Sequence, residues 1–155
     1  MVLATIRPDA WNFPLLLHVG GAMLLVGSLT LGAMAMLLSW RNGEAALVRL
    51  GYRALLFLAL PSYIVMRVGA EWIISKEYPG NSPDVTWLNL GYPIADGGGF
   101  LLLVAIILTA IAIRRRTRAD AGTSGIGLGR GAAALASIAT VAYLVAIWAM
   151  ATKPT

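Results

Sequence analysis

Four ionisable residues stand in or beside long apolar runs: His18, Arg67, Glu71 and Asp96. Such groups are rare at membrane depth, and they usually face a helix bundle or water rather than lipid. Tyr63, Arg67 and Glu71 follow one another at spacings of four, so on a helix they share a face. Arg67 and Glu71 then form an i, i+4 ion pair. Arg67 supplies a fixed positive charge. Glu71 is the carboxylate it holds ionised, and His18 is the one group able to change charge near neutral pH. Asp96 precedes Gly97, Gly98 and Gly99 and reads either as the N-cap of a helix starting there or as a fourth member of the site. The ligand-binding expectation therefore names His18, Tyr63, Arg67, Glu71 and Asp96. The set holds carboxylates and one imidazole, a chemistry that suits a divalent metal. The candidates come from separate helices, with no spacing motif, so neither a metal nor a cofactor is identified.

Composition sets the class to which these residues belong. Hydrophobic residues make up 59% of the 155 and charged residues 12%, against ~45–50% and ~25% in a soluble domain. The mean hydropathy is +0.78. This is the profile of one integral membrane domain spanning residues 1–155. With 0 Cys, disulfides, iron–sulfur clusters and thiolate metal sites are excluded. With 1 His, a bis-His haem within one chain is excluded as well. A haem would need His18 with a Met or an external ligand. Lys76 and Lys153 lie outside the apolar runs, which excludes a retinal Schiff base. No serine–histidine or zincin pattern is present, so binding or conduction is expected rather than catalysis. The six Met residues are scattered and read as core or lipid contacts.

Four apolar segments must position the candidates. Pro14–Ser39 has 26 residues and no formal charge. Ala54–Met66 has only 13, and reaches the ~20 needed to span by running on through Arg67 and Glu71 to Ile74. Ile94–Ile113 and Ala132–Ala151 have 20 each. At ~1.5 Å per residue, His18, Arg67, Glu71 and Asp96 all fall within ~10 Å of the same boundary. The first segment is too long for a signal peptide, and Arg7 and Asp9 cancel ahead of it. The stretch Gly125–Gly131 lacks the preceding strand of a nucleotide fingerprint and reads as a flexible loop.

Of the 12 basic residues, 8 lie in two connections. Arg41, Arg49 and Arg53 lie between Trp40 and Arg53, and Arg114, Arg115, Arg116, Arg118 and Arg130 between Arg114 and Gly131. The positive-inside rule places both connections in the cytoplasm. Both termini and the Ser75–Pro93 connection then face outward, in a cell inner (plasma) membrane. This parity requires the second segment to cross. The net charge of +5 is thereby topological and does not imply a nucleic-acid partner. Trp11, Trp72, Tyr78, Trp87, Tyr92 and Trp148 would mark the outer boundary, and Trp40 and Tyr52 the inner one.

The fold expected is all-α, an antiparallel four-helix transmembrane bundle. Its close contacts should involve small residues. One seam is His18, Gly21, Leu25, Ser28, Gly32 and Ala35. Another is Ala132, Ala136 and Thr140 with Ala133 and Ser137, and a third contact is the Gly97–Gly99 run. Pro61 should kink the second helix. Three functions are open. One is an outward-facing polar pocket that binds or conducts a small molecule or ion, in which Glu71 and Arg67 form the floor near His18 and Asp96. The second is an accessory subunit docking onto other membrane subunits or a homo-oligomer. The third is a haem- or quinone-linked redox subunit.

The run from Leu15 to Gly27, with its early His18 and the small residues after it, resembles the first helix of a bacterial family of small four-helix integral membrane proteins. That family is distantly like the copper-resistance D-type membrane proteins. The segment Val65–Ile73, the closing Trp148-Ala149-Met150 and the Arg-rich connections are similar to actinobacterial members of such a group. The resemblance implies a four-helix membrane fold, and a copper role for His18 and Met23.

Overall fold

A computed structural model describes residues 12–80, 86–118 and 126–152. Helices α1 (Asn12–Asn42), α2 (Ala45–Glu77), α3 (Thr86–Arg118) and α4 (Ile126–Thr152) account for nearly all of them. All four are long and apolar enough to cross a membrane. The expected bundle is present, with α1 packed mainly on α2 and α4, and α3 mainly on α4. The α2–α3 pair meets only sparsely.

The helices are longer than the apolar runs that announce them. The connection expected between Trp40 and Arg53 shrinks to Gly43-Glu44, because Ala45–Arg53 is already helical. Gly43 takes φ +70°, the left-handed conformation that glycine adopts without steric cost. Its N–H caps α1 by donating to the Ser39 carbonyl at 2.9 Å. The Ser39 hydroxyl donates to the Glu44 carbonyl at 3.1 Å and ties off the turn.

Two further expectations are corrected. Residues 86–93 belong to α3, with Pro93 inside the helix, so Asp96 is a mid-helix residue and not an N-cap. Neighbouring helices tolerate a proline inside a membrane helix. The stretch Gly127–Gly131 opens α4 instead of forming a loop. Gly129 is buried there. Trp11 and Gly125 lie outside the described residues.

Pro61 perturbs α2 in a specific way. Residues Ala54–Ala59 are wound as a π-helix, and the Leu60 N–H donates to the Leu55 carbonyl, a five-residue loop in place of the α-helical four. A proline cannot donate the next bond of the ladder. Widening the preceding turn is a recognised way of relieving such a defect.

The small-residue seam of α1 lies inward as expected. Leu25 and Leu29 are fully covered, and Ser28, Gly32 and Ala35 are buried. A Cβ on Gly21 would lie 2.6 Å from the Met66 backbone nitrogen. One on Gly69 would lie 2.5 Å from the His18 nitrogen, and one on Gly32 would lie 2.8 Å from Leu55 Cδ2. The α1–α2 crossing is therefore backbone against backbone, the arrangement small residues permit in lipid. Ala132, Ala133, Ala136 and Ala139 bring α4 into the core. Hydroxyls inside the spans bond back to their own helices: Thr109 to the Ala105 carbonyl at 2.6 Å, Ser28 to that of Leu24 at 2.6 Å and Thr140 to that of Ala136 at 2.8 Å. Among the described residues no buried side-chain polar atom lacks a partner, as a medium without water demands.

Candidate functional site

The close α1–α2 crossing decides where His18 goes. Gly69 lets the α1 backbone touch α2 one turn beyond Met66, and His18 Nδ1 reaches the Met66 carbonyl at 3.1 Å. A carbonyl only accepts, so Nδ1 carries the hydrogen. On the other side of α2, Arg67 points toward α3. Its Nη1 lies 3.1 Å from Glu71 Oε1 and its Nη2 lies 2.8 Å from Asp96 Oδ1. The guanidinium also sits over the Tyr92 ring, 4.8 Å from its centroid. The Tyr92 hydroxyl makes a long contact to Glu71, at 3.4 Å. One cation thus faces two carboxylates, and the trio carries a net charge of −1. It bridges α2 and α3, which meet more sparsely than the other neighbouring pairs of helices.

The cluster forms part of the wall of a cavity of about 290 Å³, at the low end of the ~300–1,000 Å³ usual for ligand sites. All four helices contribute to it, at the end of the bundle remote from Arg49, Arg53, Arg114 and Arg130. The wall is mostly aliphatic, including Ala22, Val26, Ile73 and Ala146, and its polar members include His18, Arg67, Glu77 and Tyr92. Tyr143 closes it on the α4 side, with its hydroxyl 3.2 Å from the Ala95 carbonyl. Gly98 makes room for that ring, because a Cβ there would lie 2.7 Å from Tyr143 Cζ.

The structure therefore divides the five sequence candidates. His18 and Arg67 line one cavity. Glu71 and Asp96 stand beside it as partners of Arg67, with 54% and 60% of their side-chain surfaces uncovered by protein. Tyr63 packs against Gly99 and is a contact between α2 and α3. No hydrogen bond or ion pair joins His18 to Glu71 or Asp96 among the described residues; Arg67 pairs with both carboxylates, and His18 bonds separately to Met66. Met23 leaves 71% of its surface exposed and is not in the cavity wall. No group of three or more His, Cys, Asp or Glu that could hold a metal occurs among the described residues.

Tyr92, Tyr143 and Glu77 were not among the candidates. Tyr92 carries a readable signal, since it stands four residues before Asp96 and so shares its helical face. For Tyr143 no signal exists, because its place depends on which helices become neighbours.

Comparison of the chain with protein-family profiles, with curated protein sequences and with solved structures gives no match.

Proposed function

We propose that this chain is a multi-pass membrane protein that binds a small, predominantly apolar molecule in an outward-facing pocket between its four spans. The observation that carries this reading is the cavity itself. A bundle whose purpose is only to pack would close over this volume, since voids cost stability in proportion to their size. Here the small side chains of Ala22, Ala70 and Ala146 leave the space open, while His18 and Arg67 supply polar points in an apolar lining, the usual make-up of a ligand site. Conduction of ions receives less support, because the lining is aliphatic and Arg67 is committed to two carboxylates.

Saturable binding of tritiated hexylbenzene to the purified protein tests the pocket. Ala146→Phe projects a ring into the space and should abolish the saturable component without unfolding the chain. Retention of that component in the variant, or its absence in the unmodified protein, would count against the reading.

The outward orientation rests on the basic connections. A cysteine placed at Ser82 should react with an impermeant thiol reagent on intact cells, and one at Thr123 should react only after lysis. The opposite pattern would turn the pocket toward the cytoplasm.

A further inference from the structure

The proposed pocket has a further property that bears on its ligand. Its hydrogen-bond donors, the Tyr78 hydroxyl apart, are turned to partners within the protein. His18 uses Nδ1–H on the Met66 carbonyl. The Tyr143 hydroxyl is turned to the Ala95 carbonyl and the Tyr92 hydroxyl to Glu71. Both terminal nitrogens of Arg67 are turned to carboxylates. In a neutral imidazole whose Nδ1 carries the hydrogen, Nε2 keeps a lone pair and can only accept. His18 lines the cavity, and of its two ring nitrogens Nε2 is the one with no partner among the described residues. The rest of the lining is mostly apolar, with Glu77 and Tyr78 as its further polar members, and the guanidinium on the same wall is already matched by negative charge.

We infer that the occupant is a neutral lipophilic alcohol or phenol whose hydroxyl donates to Nε2 of His18. This inference rests on the pocket proposed above and adds the chemical class of its ligand. An apolar molecule without a donor leaves Nε2 unsatisfied in a dry cavity, which is unfavourable. A ketone, ester or ether meets it with a second acceptor. A hydroxyl group resolves the mismatch, whether it belongs to a long-chain alcohol or to a substituted phenol.

Two probes of nearly equal shape separate the possibilities. Para-hexylphenol has the donor, and para-hexylanisole replaces its hydrogen with a methyl group. Each would compete against tritiated hexylbenzene on the protein in nanodiscs at pH 8. The phenol should displace the label about ten-fold better than the ether, the ratio one net hydrogen bond supplies. Hexanol should likewise surpass its methyl ether if the hydroxyl is the recognised group. In His18→Ala the phenol should lose its advantage while hexylbenzene still binds. Equal displacement by phenol and ether in the unmodified protein would overturn the hydroxyl assignment and leave the pocket standing. So would a phenol preference that survives His18→Ala. Absence of saturable hexylbenzene binding would instead remove the pocket, and the inference with it. The comparison within the unmodified protein does not depend on any variant folding.

Discussion

Gly69→Ala will lower the melting temperature of the purified protein, although alanine is the better helix former by ~0.8–1.0 kcal/mol. The added Cβ would lie 2.5 Å from the His18 backbone nitrogen, 2.9 Å from its Cα and 3.0 Å from the Pro14 carbonyl oxygen. All three are backbone atoms, so no side chain can rotate away and α1 must shift bodily from α2. Overpacking of this kind costs ~1–3 kcal/mol. Gly21→Ala meets the Met66 backbone at 2.6 Å and should behave alike. Gly20→Ala and Gly27→Ala serve as controls, because a Cβ at either meets no atom within 4 Å. They should leave the melting temperature unchanged or raise it. A Gly69→Ala protein as stable as its parent would mean that the two backbones are not in contact. The same shift would draw His18 away from the Met66 carbonyl, so reduced phenol selectivity should accompany the lost stability.

Arg67→Gln is the second large effect. It leaves Glu71 and Asp96 facing each other without their shared cation. Breaking a fully buried pair costs ~3–5 kcal/mol. These carboxylates are more than half uncovered by protein, so about 2 kcal/mol is expected, between the buried and surface values. The two partners should not be equivalent. Glu71 is an i, i+4 neighbour on the same helix, and Glu71→Gln should cost only ~0.3–0.5 kcal/mol. Asp96 belongs to α3, and Asp96→Asn loosens one of the few ties between α2 and α3. A double-mutant cycle on Arg67 and Asp96 should give a coupling energy above ~0.5 kcal/mol. A coupling near zero, or a Glu71 substitution as harmful as the Asp96 one, would contradict the cross-helix role.

The sequence makes axial position legible and leaves rotation about each helix largely hidden. Counting residues from a boundary places His18, Arg67, Glu71 and Asp96 near one end, and the bundle keeps them there. Which of them touch depends on azimuth, and for that the sequence offers only periodicity within one helix. The seam from His18 to Ala35 repeats at three and four and is correctly read as inward. The Arg67–Glu71 pair is read for the same reason. The Arg67–Asp96 contact and the His18–Met66 bond join different helices, so no spacing encodes them. Pro93 and the three glycines after Asp96 carry the local signature of a helix start. Membrane packing overrides that signature, because lipid leaves an open backbone no partner other than the helix itself.

The π-helical stretch Ala54–Ala59 has a consequence at the level of the gene. A loop that closes over five residues instead of four holds one residue more than an α-helix of the same rise. Deleting a single codon within it would let α2 continue as regular α-helix over the same rise, because the wider turn already absorbs the extra residue. Arg67 would stay on Asp96, and Gly69 on His18. A codon lost from the regular helix between Leu60 and Met66 would instead turn everything beyond by ~100°, the angle per residue at 3.6 per turn, and break both contacts. Across related chains, a one-residue length difference in α2 is therefore compatible with this pocket at Ala54–Ala59 and not beyond it.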